Sequence, residues 1–246
     1  MKRLMKAISC LFLSVALAGC LSVPVERDLP SSEGDLPSPV VQWAETNVMQ
    51  VETERGYGSG FWNDEATFIT ACHVVSRTVV TYKAATETEP FTVIDVFEVD
   101  EDVLIRSWDG DEYIGKVISC DKETDLAIIK PTVNHPLDLT ETKIKLDLPE
   151  RGRATYGPGF PLGNSLLITQ GHWQGKSWFE NNNYIITSPT IFGDSGSPAV
   201  IVKDGKVEVV GLRQWVANNG LGPTFHIVGV ISGKSIQDHI SQYNRL

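Results

Sequence analysis

The sequence predicts an all-β fold: two antiparallel six-stranded β-barrels followed by a short C-terminal helix. Three observations carry that expectation. Short runs rich in Val, Ile, Thr and Phe recur along the body. Turn residues separate them, with Trp108-Asp109-Gly110-Asp111 and Asp204-Gly205 as hairpin signals. A helical apolar period is nearly absent until Ile236, Ile240 and Tyr243.

Taken in order, residues 1–20 read as a targeting segment. Lys2, Arg3 and Lys6 give it a positive start, and Ala7 to Ala18 is apolar but short for a membrane span. It ends in Leu17-Ala18-Gly19-Cys20, which resembles a bacterial lipobox with Cys20 as the lipidated first residue of the mature chain. Residues 21–40 hold Pro24, Pro30, Pro37 and Pro39 and read as a flexible tether of roughly 25 Å. Leu21 stands where an aspartate would resemble an inner-membrane retention signal. The expected place is therefore the bacterial cell envelope, lipid-anchored, at the outer membrane if the host is Gram-negative.

The body, residues 41–246, is expected to form one domain. The first barrel covers about 41–130, with strands at 58–62, 67–71, 78–82, 91–94, 103–106, 112–118 and 126–129. Residues 131–149 lose the β pattern and carry Pro131, Pro136 and Pro149, so they read as the crossover. The second barrel covers about 150–231, with strands at 154–156, 166–169, 184–187, 197–202, 207–212 and 225–230. Residues 232–246 form the helix, capped by Ser232 or Ser235.

Net charge is −10, and −13 once Lys2, Arg3 and Lys6 are removed. An acidic body argues against nucleic acid and anionic lipid surfaces as partners. No Cys/His cluster suggests a metal, and no cofactor motif is present. Cys72 and Cys120 remain after the signal segment. They could form a disulfide in an oxidising compartment or stay as two small buried thiols; the thiol reading is preferred.

Three segments carry chemistry. In Gly193-Asp194-Ser195-Gly196-Ser197-Pro198 the N–H groups of Gly193 and Ser195 can converge on a carbonyl oxygen that becomes negative in acyl transfer. Thr70-Ala71-Cys72-His73-Val74-Val75 offers a base, and Thr124-Asp125-Leu126-Ala127 offers a carboxylate to orient it. His135 and His239 look solvated, His172 sits in a loop after Gly171, and none rivals His73.

With Gly58-Ser-Gly-Phe and Gly159-Phe-Pro-Leu-Gly163 added, these segments resemble the trypsin-like serine protease superfamily. The likeness is to its bacterial HtrA-like and glutamyl-endopeptidase-like branch, and runs in family order over nearly all of residues 50–231. It implies a serine endopeptidase with His73, Asp125 and Ser195 as the triad, and Gly193 and Ser195 as the oxyanion hole. The substrate would be a protein or peptide. The order His, Asp, Ser excludes an α/β-hydrolase, which counts against an esterase. The alternative is a non-catalytic lipoprotein that binds peptide on the same fold.

Two departures from the family follow. The chain lacks the Ile-Val-Gly-Gly start whose new N-terminus pairs with the aspartate before the serine in digestive relatives, so Asp194 needs another partner. Only 51 residues follow Ser195, so no C-terminal peptide-binding module is expected and oligomeric state stays open. In the specificity pocket, Pro189 offers no charge for Lys or Arg. Thr190, Arg213, Trp215 and His226 are the candidate pocket residues; Arg213, with Thr190 and His226, could receive an acidic side chain through the guanidinium fork, or Arg213 could point outward and pair with a surface acid.

Overall fold

The structure, a computed structural model, describes residues 36–54, 56–83, 92–132, 139–177, 183–218 and 223–244. The expected signal segment with Cys20, most of the tether, and His135 lie outside these residues. No helix among the described residues is long and apolar enough to cross a membrane.

Pro37 precedes α1 (Ser38–Asn47) and Pro39 lies in its first turn, where a missing N–H costs no hydrogen bond. The helix buries Val40, Trp43 and Ala44. Pro37 and Pro39, two of the four prolines that suggested a tether to residue 40, are therefore helix-starting residues, and the packed body begins at Leu36. This helix is a second one, beyond the single helix that the sequence pattern predicts.

β1 (Val48–Thr53), β2 (Gly56–Asp64) and β3 (Thr67–Ala71) follow, then a single 3-10 turn at Cys72–Val74. β4 (Ser76–Lys83), β5 (Thr92–Val99), β6 (Asp102–Arg106), β7 (Glu112–Asp121) and β8 (Leu126–Pro131) complete the first half. The barrel closes in the order β1-β2-β3-β8-β7-β6, with β6 pairing back to β1. β1 was not among the predicted strands. β4 and β5 were, but they pair only with each other as a ribbon outside the barrel.

The expected crossover contains β9 (Lys143–Ile144), which runs parallel to the start of β14 (Lys206–Asn218). β10 (Ala154–Gly159), β11 (Leu167–Lys176), β12 (Asn183–Thr187), β13 (Pro198–Lys203) and β15 (Pro223–Ser232) join β14 in the second barrel. Pairing of β13 with both β10 and β14 closes it. The β13–β14 turn places Asp204 and Gly205 at φ 51° and 73°, the positive-φ pair of a type I′ hairpin.

α2 (Gly233–Tyr243) is capped by Ser232, whose Oγ accepts from the Ser235 N–H at 3.2 Å. Its Ile236 and Ile240 are buried, as the spacing predicts. Met49, Trp62, Phe68 and Ile129 fill the first barrel, and Trp173, Ile186, Val210 and Val230 the second. A third apolar cluster joins Trp43, Phe61, Phe160, Leu212 and Ile236 between them. This shared core fixes one barrel against the other.

Three sequence expectations are corrected here. Cys72 and Cys120 are not free thiols but a disulfide, with Cα atoms 5.1 Å apart. Spacing alone could not show that the ends of β3 and β7 converge. His239 is not solvated: it is buried on α2, with Nε2 3.0 Å from Ser119 Oγ on β7. In addition, His172 lies on β11 rather than in a loop.

The disulfide closes a 48-residue separation, for which loop-closure entropy gives up to about 4 kcal/mol. The double variant Cys72→Ala/Cys120→Ala should lose stability of this order in urea titration. His239 is held below its ordinary pKa by burial, with Asp121 pulling the other way. The unfolded chain therefore binds a proton near pH 6.5 that the folded state resists. Stability should be full above that pH and fall as pH drops towards the lower folded value. Unfolding curves of His239→Gln should lack this decline.

Candidate active site

β3 pairs with β8 so that Ala71 faces Leu126. The residues just past β3 and just before β8 thus emerge at the same edge, which brings His73 to Asp125. The His73 Nδ1 lies 2.8 Å from Asp125 Oδ2, and the His73 backbone N–H donates to Asp125 Oδ1 at 2.9 Å. Both carboxylate oxygens are thus committed to one residue. The contact suits Nδ1–H donating, which leaves Nε2 as an acceptor. Asp125 sits at φ 52°, a left-handed conformation that aspartate tolerates better than most residues.

The segment before Asp125 is built to hold that conformation. Asp121 Oδ1 accepts from the Glu123 N–H at 2.9 Å and Oδ2 from Thr124 Oγ1 at 2.8 Å. Burial opposes ionisation of Asp121, but the bonds from Thr124 and Glu123 and the nearby His239 outweigh it and keep the pKa below the ordinary value. Gln214, buried on β14, donates to the carbonyl of Thr124 at 2.6 Å. The Cys72–Cys120 bridge ties the residue before His73 to the residue before Asp121. Sequence reading missed Gln214, which sat unremarked between two pocket candidates.

Ser195 is half-buried on the loop before β13. Its carbonyl accepts from the Ser59 N–H at 2.8 Å. A Cβ on Gly58 would meet both Val74, the neighbour of His73, and the Ser195 carbonyl. The loop carrying Ser195 therefore lies beside the His73 turn. No hydrogen bond joins Ser195 to His73; such contacts commonly tighten only with substrate in place. Among the described residues, the N–H groups of Gly193 and Ser195 have no acceptor within the protein. Ser59 is fully buried and its role was also missed. In the sequence the Gly58-Ser-Gly-Phe motif counts only toward the resemblance, while its serine carries the bonds.

The partner of Asp194 is now visible. Asp194 Oδ2 accepts from Thr190 Oγ1 at 2.7 Å and from the Ile191 N–H at 3.0 Å, and Arg213 Nη1 lies 3.9 Å away. Arg213 is 1% exposed and also donates to Ser188 Oγ at 2.9 Å. Burial pushes the guanidinium below its ordinary pKa, and Asp194 pulls it back up. This corrects the assignment of Thr190 and Arg213 as receivers of an acidic substrate side chain. The structure brings the two together, but on Asp194, where the arginine charge is already balanced.

Trp215 is half-buried and borders an open cleft of about 680 Å³, shared with Asp125, Gln214, Tyr184 and Lys234. His226 falls on β15, and its side chain lies outside the described part of the structure. Among the described residues no group of His, Cys, Asp or Glu is placed to hold a metal ion.

The sequence matches the family described as "Trypsin-like peptidase domain" over residues 58–212, more than half of the chain. A comparison with curated proteins finds no match. Solved structures of similar fold include the active form of the Rv3671c protease of M. tuberculosis, at TM-score 0.60 and 18% identity, covering 82% of this chain and 83% of that one. The serine endoprotease of Yersinia pestis aligns at TM-score 0.62 and 17% identity, covering 85% and 67%. The HtrA-type protease AlgW, solved with a tripeptide, aligns at TM-score 0.62 and 19% identity, covering 84% and 62%. The chain belongs to the trypsin-like peptidase family and is a serine-type peptidase.

Proposed function

We propose that this protein is a serine endopeptidase that uses His73, Asp125 and Ser195 and works through an acyl-enzyme. The observation that carries the reading is the two-point grip of Asp125 on His73, through Nδ1 at 2.8 Å and the backbone N–H at 2.9 Å. It holds the imidazole with Nε2 as the proton acceptor. Ser195 Oγ attacks the carbonyl carbon of the substrate and its proton passes to Nε2. The carbonyl oxygen becomes negative and takes hydrogen bonds from the N–H groups of Gly193 and Ser195. The tetrahedral intermediate collapses, the C–N bond breaks, and His73 gives its proton to the leaving amine. Water then repeats the sequence on the acyl-enzyme. Asp125 stays ionised throughout and stabilises the imidazolium.

We also propose that Cys20 is lipid-modified and holds the protein in a bacterial envelope, on the outer membrane if the host is Gram-negative. The Cys72–Cys120 disulfide supports an oxidising compartment.

Purified protein should react with a fluorophosphonate probe and cleave peptide substrates, and Ser195→Ala should do neither. Asp125→Asn should remain folded and lose about 10⁴ in kcat, because the amide favours the wrong histidine tautomer. Labelling of Ser195→Ala equal to the parent protein would defeat the reading. For the anchor, Cys20→Ser expressed in cells should leave the membrane fraction; retention there would remove the lipid proposal and leave the protease untouched.

A further inference from the structure

We propose that Ser59 is a positioning residue for the oxyanion site and that, with the buried Arg213–Asp194 pair, it holds the Gly193–Ser195 loop ready for catalysis in the uncut chain. The proposal rests on the protease reading above and concerns how its oxyanion site is assembled.

The argument comes from the four successive peptide planes between Phe192 and Gly196. No cis peptide is present, so each carbonyl points opposite to the N–H of the same plane. Fixing the carbonyl therefore fixes the N–H. The Phe192 carbonyl accepts from the Leu162 N–H at 2.6 Å, which turns the Gly193 N–H the other way. The Gly193 carbonyl accepts from Ser59 Oγ at 2.7 Å. The Asp194 carbonyl accepts from the Ser197 N–H at 3.0 Å, which directs the Ser195 N–H. The Ser195 carbonyl accepts from the Ser59 N–H at 2.8 Å.

Every plane of the loop is thus pinned, and the two N–H groups needed by an oxyanion are left without an acceptor. Ser59 supplies two of the four pins. Its Oγ also accepts from the Phe160 N–H at 2.9 Å, just before the Pro161–Gly163 turn that carries the Leu162 pin. The hydroxyl couples one pin to another. On the opposite side, Thr190 Oγ1, the Ile191 N–H and Arg213 hold the Asp194 carboxylate. A Cβ on Gly157 would overlap the guanidinium, so β10 is shaped to admit it. The counter-charge to Asp194 belongs to the fold, and no newly cut terminus is required.

The test uses the full chain and separates ground-state binding from oxyanion binding. Parent protein, Ser59→Ala, Thr190→Val, Arg213→Met and Arg213→Lys are compared in peptide hydrolysis, in inhibition by a peptide aldehyde, and in thermal unfolding. A misplaced donor costs about 10² in rate, so Ser59→Ala should lose kcat on that scale while KM stays within about twofold. Aldehyde affinity should fall by the same factor as kcat, since only the hemiacetal uses the oxyanion site. Arg213→Met and Thr190→Val should change in the same sense, and Arg213→Lys should recover part of the loss. The uncut parent chain should be fully active. Folded Ser59→Ala and Thr190→Val with parental kcat and aldehyde affinity would overturn the proposal, as would a mature protein that gains activity only after a further cut beyond the one before Cys20. Should Ser59→Ala not fold, Thr190→Val decides by the same two readouts. A parent that never reacts with fluorophosphonate would instead sink the protease reading itself.

Discussion

The loop bearing Ser195 lies against β2 and β3 of the first barrel with no space for one more carbon between them. A Cβ on Gly196 would stand 2.2 Å from the Ser59 carbonyl and 2.3 Å from Thr70 Oγ1, and Gly196 has φ 83°. Only glycine satisfies both the conformation and the approach. Because the loop comes this close, Ser59 can bond it from inside the core, and Thr70 Oγ1 can close the remaining valence by donating to the Ser59 carbonyl at 2.7 Å. Buried polar groups of this kind are stabilising when satisfied and costly when not. The seam therefore sets the mutual position of the two barrels at the point where their loops must share one reaction.

The charged pair beneath the loop obeys the same accounting. Burying Arg213 at 1% exposure is unfavourable unless a carboxylate and hydrogen-bond acceptors go with it. Asp194, Ser188 Oγ and the Pro189 carbonyl provide them, although Nε keeps no partner. Removing one member of a buried pair costs about 3–5 kcal/mol, mostly from the charge left behind. Such a pair resists loosening, so it suits a loop whose N–H directions must not drift. The backbone of Arg213 reinforces it, accepting from the Gly196 N–H at 2.8 Å and donating to the Ser197 carbonyl at 2.9 Å.

Much of this was legible in the sequence because motif chemistry is local. Gly193 to Pro198 must present a serine whatever surrounds it, and the strand alternation of the second half maps closely onto β10 to β15. What escaped was pairing. Alternation marks β4 and β5 as strands but does not say that they pair outside the barrel. Val-Met-Gln-Val-Glu-Thr at 48–53 follows a helix without turn residues, so nothing punctuates β1. Pro37 and Pro39 read equally as tether or as the start of a helix, and only burial of Val40 and Trp43 decides. The disulfide and the Arg213–Asp194 pair join residues far apart in the chain. Their partners become visible only once β3, β8 and β7 align and β13 meets β14.

The two halves of the site differ in how firmly they are held. On the acid–base side, Asp121 organises the turn, Gln214 pins the Thr124 carbonyl, and the disulfide ties Cys72 to Cys120. Asp125 in turn holds His73 at two points while paying about 1–3 kcal/mol for its left-handed backbone. On the nucleophile side the backbone is pinned but Ser195 Oγ has no bond to His73. In the proposed mechanism, the one contact left unmade is the one through which the proton travels. A drifting imidazole or a drifting oxyanion loop would need several dihedrals fixed at once, whereas a serine hydroxyl turns about a single χ angle. The fold has placed its order where reordering would be expensive.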